Sequence, residues 1–158
     1  YIGIESSDED IRNDANRTSD TNENQRYKVH LLEKNLIKVK AMYIIGLPAD
    51  TEDTFKRTVQ YAKKIKSSYA QFSVFTPYPG TPVFKEYKDK ITSNRYEEFT
   101  QWQLVFKHQN LSKKNVLDLL DYSYTQYYTN PIWVIYFLSN KIKDFYENML
   151  IRLNWFSR

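Results

Sequence analysis

Cysteine is absent from the chain, and glycine, methionine and histidine are scarce: three, two and two among 158 residues. Without cysteine there can be no disulfide, no thiol catalysis and no thiolate-held metal on this chain. His30 and His108 are far apart in sequence, so no histidine-ligated metal site is expected either. The longest apolar run, Ile132 to Leu138, is far short of the roughly 20 residues that span a bilayer. The formal charge of +4 comes from scattered lysines. No basic block is interleaved with stacking aromatics, so nucleic acid is not an expected partner. A Ser-His-Asp order, a Walker loop and a dinucleotide fingerprint are also missing.

Scarcity makes the remaining glycines informative. They sit in Gly3-Ile4-Glu5-Ser6, in Gly46-Leu47-Pro48 and in Pro77-Tyr78-Pro79-Gly80-Thr81-Pro82, and the last two places also hold four of the five prolines. Glycine tolerates positive φ and close backbone approach. Function is therefore expected at these three places. Gly46 would let a flat ring approach the backbone, and Tyr78 would either stack on a ligand or pack on the rim. With 14 Tyr, 9 Phe and 3 Trp, the chain has material for a core. Ser6 to Gln25 is the polar exception.

Three strands are predicted: Tyr1 to Glu5, Ile37 to Leu47, and Ala70 to Phe75. The second is nearly continuously apolar, the pattern of a strand buried on both faces. Helices are expected between them. Asp50 or Thr51 caps one whose stripe is Phe55, Val59, Ala62 and Ile65. The other puts Tyr27, Leu31 and Leu32 on one face, with Asn35 as the left-handed stop. Strands some thirty-odd residues apart with helical crossovers indicate βαβ units and a parallel sheet. Beyond Thr81 the pattern is helical. Ser112 caps a helix with Leu111 and Val116 as staple, Asn130-Pro131 opens another, and Lys141 to Phe156 reads as a last amphipathic one. The chain divides into an α/β part, 1–90, and a helical extension, 91–158.

In parallel α/β folds ligands sit at the carboxyl ends of strands. Glu5 would project a carboxylate there and Ser6 a hydroxyl, a pair suited to a ribose diol or an ammonium group. Alternatively Ser6 or Ser7 caps a helix whose first turn is Asp8, Glu9 and Asp10. Glu97-Glu98 and Asp118-Asp121 read as solvated helix faces. Trp102, Phe106, Tyr128, Trp133 and Tyr136 read as packing.

Taken in order, the three signatures resemble the second half of a radical S-adenosylmethionine (radical SAM) enzyme. The matching residues are Gly3-Ile4-Glu5-Ser6, Gly46-Leu47-Pro48-Ala49-Asp50-Thr51 and Pro77 to Pro82. The tail ending Tyr127-Tyr128-Thr129-Asn130-Pro131 is most similar to the branch that often carries a cobalamin-binding domain. The resemblance implies the C-terminal half of a partial (β/α)6 TIM-type barrel followed by an α-helical tail, in a parent that holds a [4Fe–4S] cluster and S-adenosylmethionine. One electron from the cluster would cleave the sulfonium to start methylation, cyclisation or methylthio transfer. By analogy Glu5 and Ser6 lie near the ribose or methionine end, and Arg17 near the methionine carboxylate. Ile44 to Gly46 flank the adenine, Phe75 to Pro77 approach it, and Gly80 completes the cofactor-binding set. A small-molecule or lipid substrate and an electron donor such as flavodoxin or ferredoxin are the implied partners, in the cytoplasm.

Two departures stand out. The family's cluster-binding Cys-x3-Cys-x2-Cys loop belongs to a strand absent from this sequence, and its usual Gly-Glu is here Ala49-Asp50. With no initiator Met and a strand already under way at Tyr1, the sequence reads as a fragment, inactive alone and unable to bind these cofactors stably. Lacking its first strands, the half-barrel is expected to expose an edge. The rival readings are a non-catalytic interaction domain and peripheral attachment to the inner membrane face. Attachment would use Trp133 to Phe156, with Arg152 and Arg158 beside Leu150, Ile151, Leu153, Trp155 and Phe156.

Overall fold

In a computed structural model, residues 1–15 and 20–156 are described, with side-chain placement excluded for 144, 147, 148 and 150–156. Arg17 and Arg158 therefore lie outside the described residues. So do the side chains of Leu150, Ile151, Arg152, Leu153, Trp155 and Phe156. Three strands, β1 (Ile2–Glu5), β2 (Lys40–Ile45) and β3 (Tyr69–Val74), form a parallel sheet in the order β1-β2-β3. The chain is thus α/β, with a small open sheet compatible with part of an α/β barrel.

The sheet is covered by helices on one face only. Ala41, Tyr43 and Ile45 of β2 are buried beside Ala70, Phe72 and Val74 of β3, whereas Lys40, Met42 and Ile44 are only partly covered. This corrects the expectation of a strand buried on both faces: the apolar run is continuous in sequence, but only alternate residues enter the core. The buried face receives α3 (Glu52–Ile65), whose stripe Phe55, Val59, Ala62 and Ile65 is buried as expected. Thr51 caps α3 through a reciprocal bond with Thr54, and Lys66 ends it in the left-handed region.

The polar stretch after β1 is ordered more than its composition suggested. A short helix, α1 (Glu9–Asp14), is capped by Asp8 rather than by Ser6 or Ser7. Asn22 then opens α2 (Asn22–Lys34). Arg12 organises this stretch: its guanidinium is buried and donates to the Ser6 carbonyl, Asn22 Oδ1 and the Asp20 carbonyl. On α2 the buried residues are Gln25 and Val29, with Leu32 against the core, while Tyr27 and Leu31 are exposed. The left-handed residue after α2 is Leu36, not Asn35.

After β3, α4 (Pro82–Tyr87) and two 3₁₀ turns, Lys88–Lys90 and Tyr96–Glu98, lead to α5 (Lys113–Tyr128). Ser112 caps α5 as expected, and Leu111 and Val116 are both buried. One hydrophobic cluster runs from Ile4 to Tyr127, so α5 shares the core of the sheet. Pro131–Phe156 is one continuous helix, α6, where two were expected. Of the aromatics assigned to packing, Phe106 is buried, and Tyr128 and Trp133 lie against the core, but Trp102 is half-exposed.

The sheet's two edges differ. Tyr128 Oη accepts from the Ala70 amide at 3.0 Å and donates to the Ala70 carbonyl at 2.6 Å. Tyr124, one turn earlier on α5, does the same for Phe72 at 3.3 and 3.0 Å. The Val74 amide finds the Gln101 carbonyl at 2.8 Å. Every outward amide of β3 at Ala70, Phe72 and Val74 is thereby occupied, so this edge is closed; the edge expected to be exposed, for want of preceding strands, is that of β1. Beyond β1, no further strand pairs among the described residues.

Tyrosine-to-phenylalanine changes should therefore have opposite signs at two places. Tyr124→Phe with Tyr128→Phe frees two edge amides and carbonyls. It should cost about 1–3 kcal/mol in urea unfolding and raise light scattering on storage. Tyr43 is fully buried, its hydroxyl has no partner among the described residues, and its ring stacks on Phe72 at 5.1 Å. Tyr43→Phe keeps that stack and removes the orphan hydroxyl, so the same assay should show a gain of about 1 kcal/mol.

Candidate functional site

The helix-free face of the sheet carries the residues nearest to a binding site. Gly3 is paired in register with Met42 and Met42 with Gln71, while Ile44 pairs with Ser73, so these residues share that face. Phe75 follows Ser73 by alternation, and its amide bonds the Ile45 carbonyl at 2.8 Å. Its ring packs edge-on against Tyr87 and Phe106. Glu5 reaches the face by an irregular route. The ladder slips between Gly3 and Glu5, and Glu5 itself lies at φ 65°. Its Oε1 then lies 2.6 Å from where a Cβ on Gly3 would be. Any other residue at position 3 would push this carboxylate away.

Of the sequence-selected residues, Glu5 and Ile44 stand toward the carboxyl ends of β1 and β2 on the side without a covering helix, while Phe75, just beyond β3, packs its ring against Tyr87 of α4 and Phe106. The others are placed differently. Ser6 is buried, and its hydroxyl meets Thr58 Oγ1 at 3.3 Å and the Asp8 amide at 3.1 Å. Pro77 is buried, and Gly80 is exposed. Gly80 holds φ 87° in a turn closed by the Thr81 amide on the Tyr78 carbonyl, and no atom lies within 4 Å of a Cβ added to it. Pro79 followed by a positive-φ Gly80 is the pattern of a type II turn. Thr81 then caps α4, with Pro82 in its first turn.

At Gly46 the structure holds a buried clamp whose full extent the sequence reading missed. Gly46 lies at φ 79°, under Leu104 and His108. Asp50 is fully buried, and its Oδ2 accepts from the amides of Gly46 and Leu47, each at 3.0 Å. Its Oδ1 accepts from Thr54 Oγ1 at 2.9 Å. From the other side His108 Nε2 meets the Leu47 carbonyl at 2.9 Å, while its Nδ1 accepts from the amides of Asn110 and Leu111. Those two acceptor bonds place the proton on Nε2, which therefore donates. Asn110 Nδ2 donates to the Asp50 carbonyl at 3.0 Å. The Asp50 reading as a helix-end residue could be made from sequence. His108 and Asn110, some sixty residues away, give no local signal.

Burial pushes the Asp50 carboxyl up to about 6, against the pull of its bonds from Thr54, Leu47 and Gly46; the charge of Asp8 adds to the rise. A carboxyl raised above its unfolded value of 3.8 holds its proton more tightly in the native state. Unfolding free energy should then be highest below about pH 4 for this group and fall as pH rises through about 6, by at most about 3 kcal/mol. Asp50→Asn keeps an acceptor for both amides and can donate to Thr54. In urea titrations it should flatten that slope and match or exceed the parent at pH 7.

No protein-family model matches the chain. It is 29% identical over 117 residues to the bacteriochlorophyllide d C-12(1)-methyltransferase of Chlorobaculum tepidum, covering 74% of this chain and 26% of that protein. It is 25% identical over 122 residues to the anaerobic magnesium-protoporphyrin IX monomethyl ester cyclase of Rubrivivax gelatinosus, covering 77% and 22%. It is 27% identical over 111 residues to the tRNA-2-methylthio-N(6)-dimethylallyladenosine synthase of Buchnera aphidicola, covering 56% and 24%. The chain thus spans about a quarter of the length of these curated relatives. All three are members of the radical SAM family, and at this modest identity the chain's kinship to radical SAM enzymes is supported at the level of that family.

Proposed function

We propose that this chain is the C-terminal half of a radical SAM enzyme, with residues 1–90 closing the barrel and 91–158 shaping the substrate side. The observation that carries the reading is that Glu5, Ile44 and Phe75 lie at the carboxyl ends of three adjacent parallel strands. Ligands in such sheets lie beyond the carboxyl ends of the strands.

The two implied cofactors fit differently. A [4Fe–4S] cluster is held by cysteine thiolates, and this chain has none. Its ligands would have to come from another part of the parent polypeptide. S-adenosylmethionine fits better. The Glu5 carboxylate, folded over the missing side chain of Gly3, can accept from ribose hydroxyls or an ammonium group. Ile44 and Phe75 offer apolar surface to a flat base. When bound, the cofactors supply radical chemistry, and these residues bind and orient. The parent would act on a small molecule or lipid in the cytoplasm, take its electron from a flavodoxin- or ferredoxin-like donor, and belong to the cobalamin-associated branch.

A second reading, a non-catalytic interaction domain that keeps the turns for stability, draws on Ser6 and Gly80. The Ser6 hydroxyl is spent on Thr58 and Asp8, and Gly80 is accounted for by its turn.

The test uses the complete parent polypeptide. Determining its sequence upstream of Tyr1 should find the Cys-x3-Cys-x2-Cys loop. Equilibrium dialysis of S-adenosylmethionine should then show Glu5→Gln and Gly3→Val each weakening binding about tenfold or more, the loss of a charged hydrogen bond. Their unfolding midpoints should remain close to the parent's. Affinities within twofold of the parent would favour the interaction domain instead.

A further inference from the structure

Leu104, Phe106 and His108 alternate along one short segment between β3 and α5. The Thr92 amide on the Val105 carbonyl at 2.8 Å and the Lys107 amide on the Lys90 carbonyl at 2.7 Å hold it, with an antiparallel bridge between Ile91 and Phe106. All three side chains reach the carboxyl ends of β2 and β3. Leu104 Cδ1 and His108 Cδ2 lie 3.9 and 4.0 Å from where a Cβ on Gly46 would stand. Phe106 meets Phe75 edge-on at 5.8 Å and His108 at 5.9 Å. His108 then donates to the Leu47 carbonyl at 2.9 Å. One segment of the extension thus supports the exits of two neighbouring strands.

We propose that His108 is a positioning residue for the ligand at these strand ends. By holding the Leu47 carbonyl it fixes the peptide planes that leave β2 just beyond Ile44. Phe106 beside it sets the ring of Phe75 on the neighbouring strand. The bond crosses from the extension to the α/β part, so the seating of the extension sets the shape of the binding end. The inference rests on the radical SAM reading for the identity of that ligand.

The two ring nitrogens have separable tasks. Nδ1 closes a local turn by accepting from the Asn110 and Leu111 amides at 3.0 and 3.1 Å, and only Nε2 crosses to Leu47. Asparagine carries an oxygen as many bonds from Cβ as Nδ1, and nothing that reaches Leu47. Glutamine carries an amide nitrogen as many bonds from Cβ as Nε2, and forfeits the acceptor at Nδ1.

Hydrogen exchange of this chain, without ligand, tests the hold on the turn. His108→Asn should speed exchange of the Gly46 and Leu47 amides about fivefold or more and spare those of Asn110 and Leu111. His108→Gln should do the reverse. In the complete parent polypeptide, equilibrium dialysis of S-adenosylmethionine should show His108→Asn weakening binding about fivefold or more, with His108→Gln within about twofold of the parent. A merely structural role predicts the opposite order, because glutamine leaves two amides without an acceptor and asparagine only one carbonyl without a donor. Unchanged Gly46 and Leu47 exchange in His108→Asn overturns the inference, as does binding that is weaker in His108→Gln than in His108→Asn. A parent that binds no S-adenosylmethionine at all overturns the radical SAM reading, and this inference with it.

Discussion

The buried carboxylate of Asp50 is the point on which three parts of the molecule converge. It satisfies the two amides where the chain leaves β2, and through Thr54 it ties that turn to the first turn of α3. The same turn receives His108 and Asn110 from the segment before α5. A backbone turning at the end of a buried strand would otherwise carry amides with no partner, at a cost of about 1–3 kcal/mol each. One aspartate therefore fixes the exit of β2, the start of α3 and the approach of α5. Its ionisation is costly where it sits, which is why the same contact makes stability depend on pH.

A one-sided sheet follows from that arrangement. Helices α3 and α5 press Phe55, Phe72 and Tyr127 together on one face, with Phe72 meeting Phe55, Tyr124 and Tyr127 edge-on. The opposite face keeps Gly3, Met42 and Gln71 without a covering helix. The edges are managed separately. Tyrosine hydroxyls from α5 occupy the backbone of β3, a means of protecting an edge that adds no strand. Together with Trp133 and Tyr136, they show why the tail is so rich in aromatics with polar tips. Each buries a ring and spends its donor on the loop or strand beneath.

Much of this was legible in the residues. The stripe on α3, the caps at Thr51 and Ser112 and the parallel order of strands all follow from local pattern, because each depends on neighbours within a turn or two. What escaped depends on tertiary partners. Tyr27 and Leu31 looked like the inner face of α2, yet Gln25 and Val29 are turned inward, a rotation set by packing against α3 and invisible to an ambiguous stripe. Arg12 gives no local signal in the sequence and is the buried organiser of the loop after β1. Asn35 has the composition of a left-handed stop, but Leu36 takes that geometry. For α6, Asn130-Pro131 opens one helix and Lys141 to Phe156 reads as another, yet the backbone runs through as a single helix.

The three glycines, alike in sequence as strand-end signals, separate by physical cause. Gly80 is needed for its φ alone, since a Cβ there would meet nothing. Gly46 is needed for its φ and lies beneath Leu104 and His108, in a turn whose polar atoms are already spoken for. Gly3 has no φ requirement. Its constraint is the carboxylate of Glu5 occupying the place of its side chain. Glu5 itself lies in the left-handed region at φ 65°, which few non-glycine residues adopt. The local strain and the missing side chain thus converge on a single carboxylate at the end of β1.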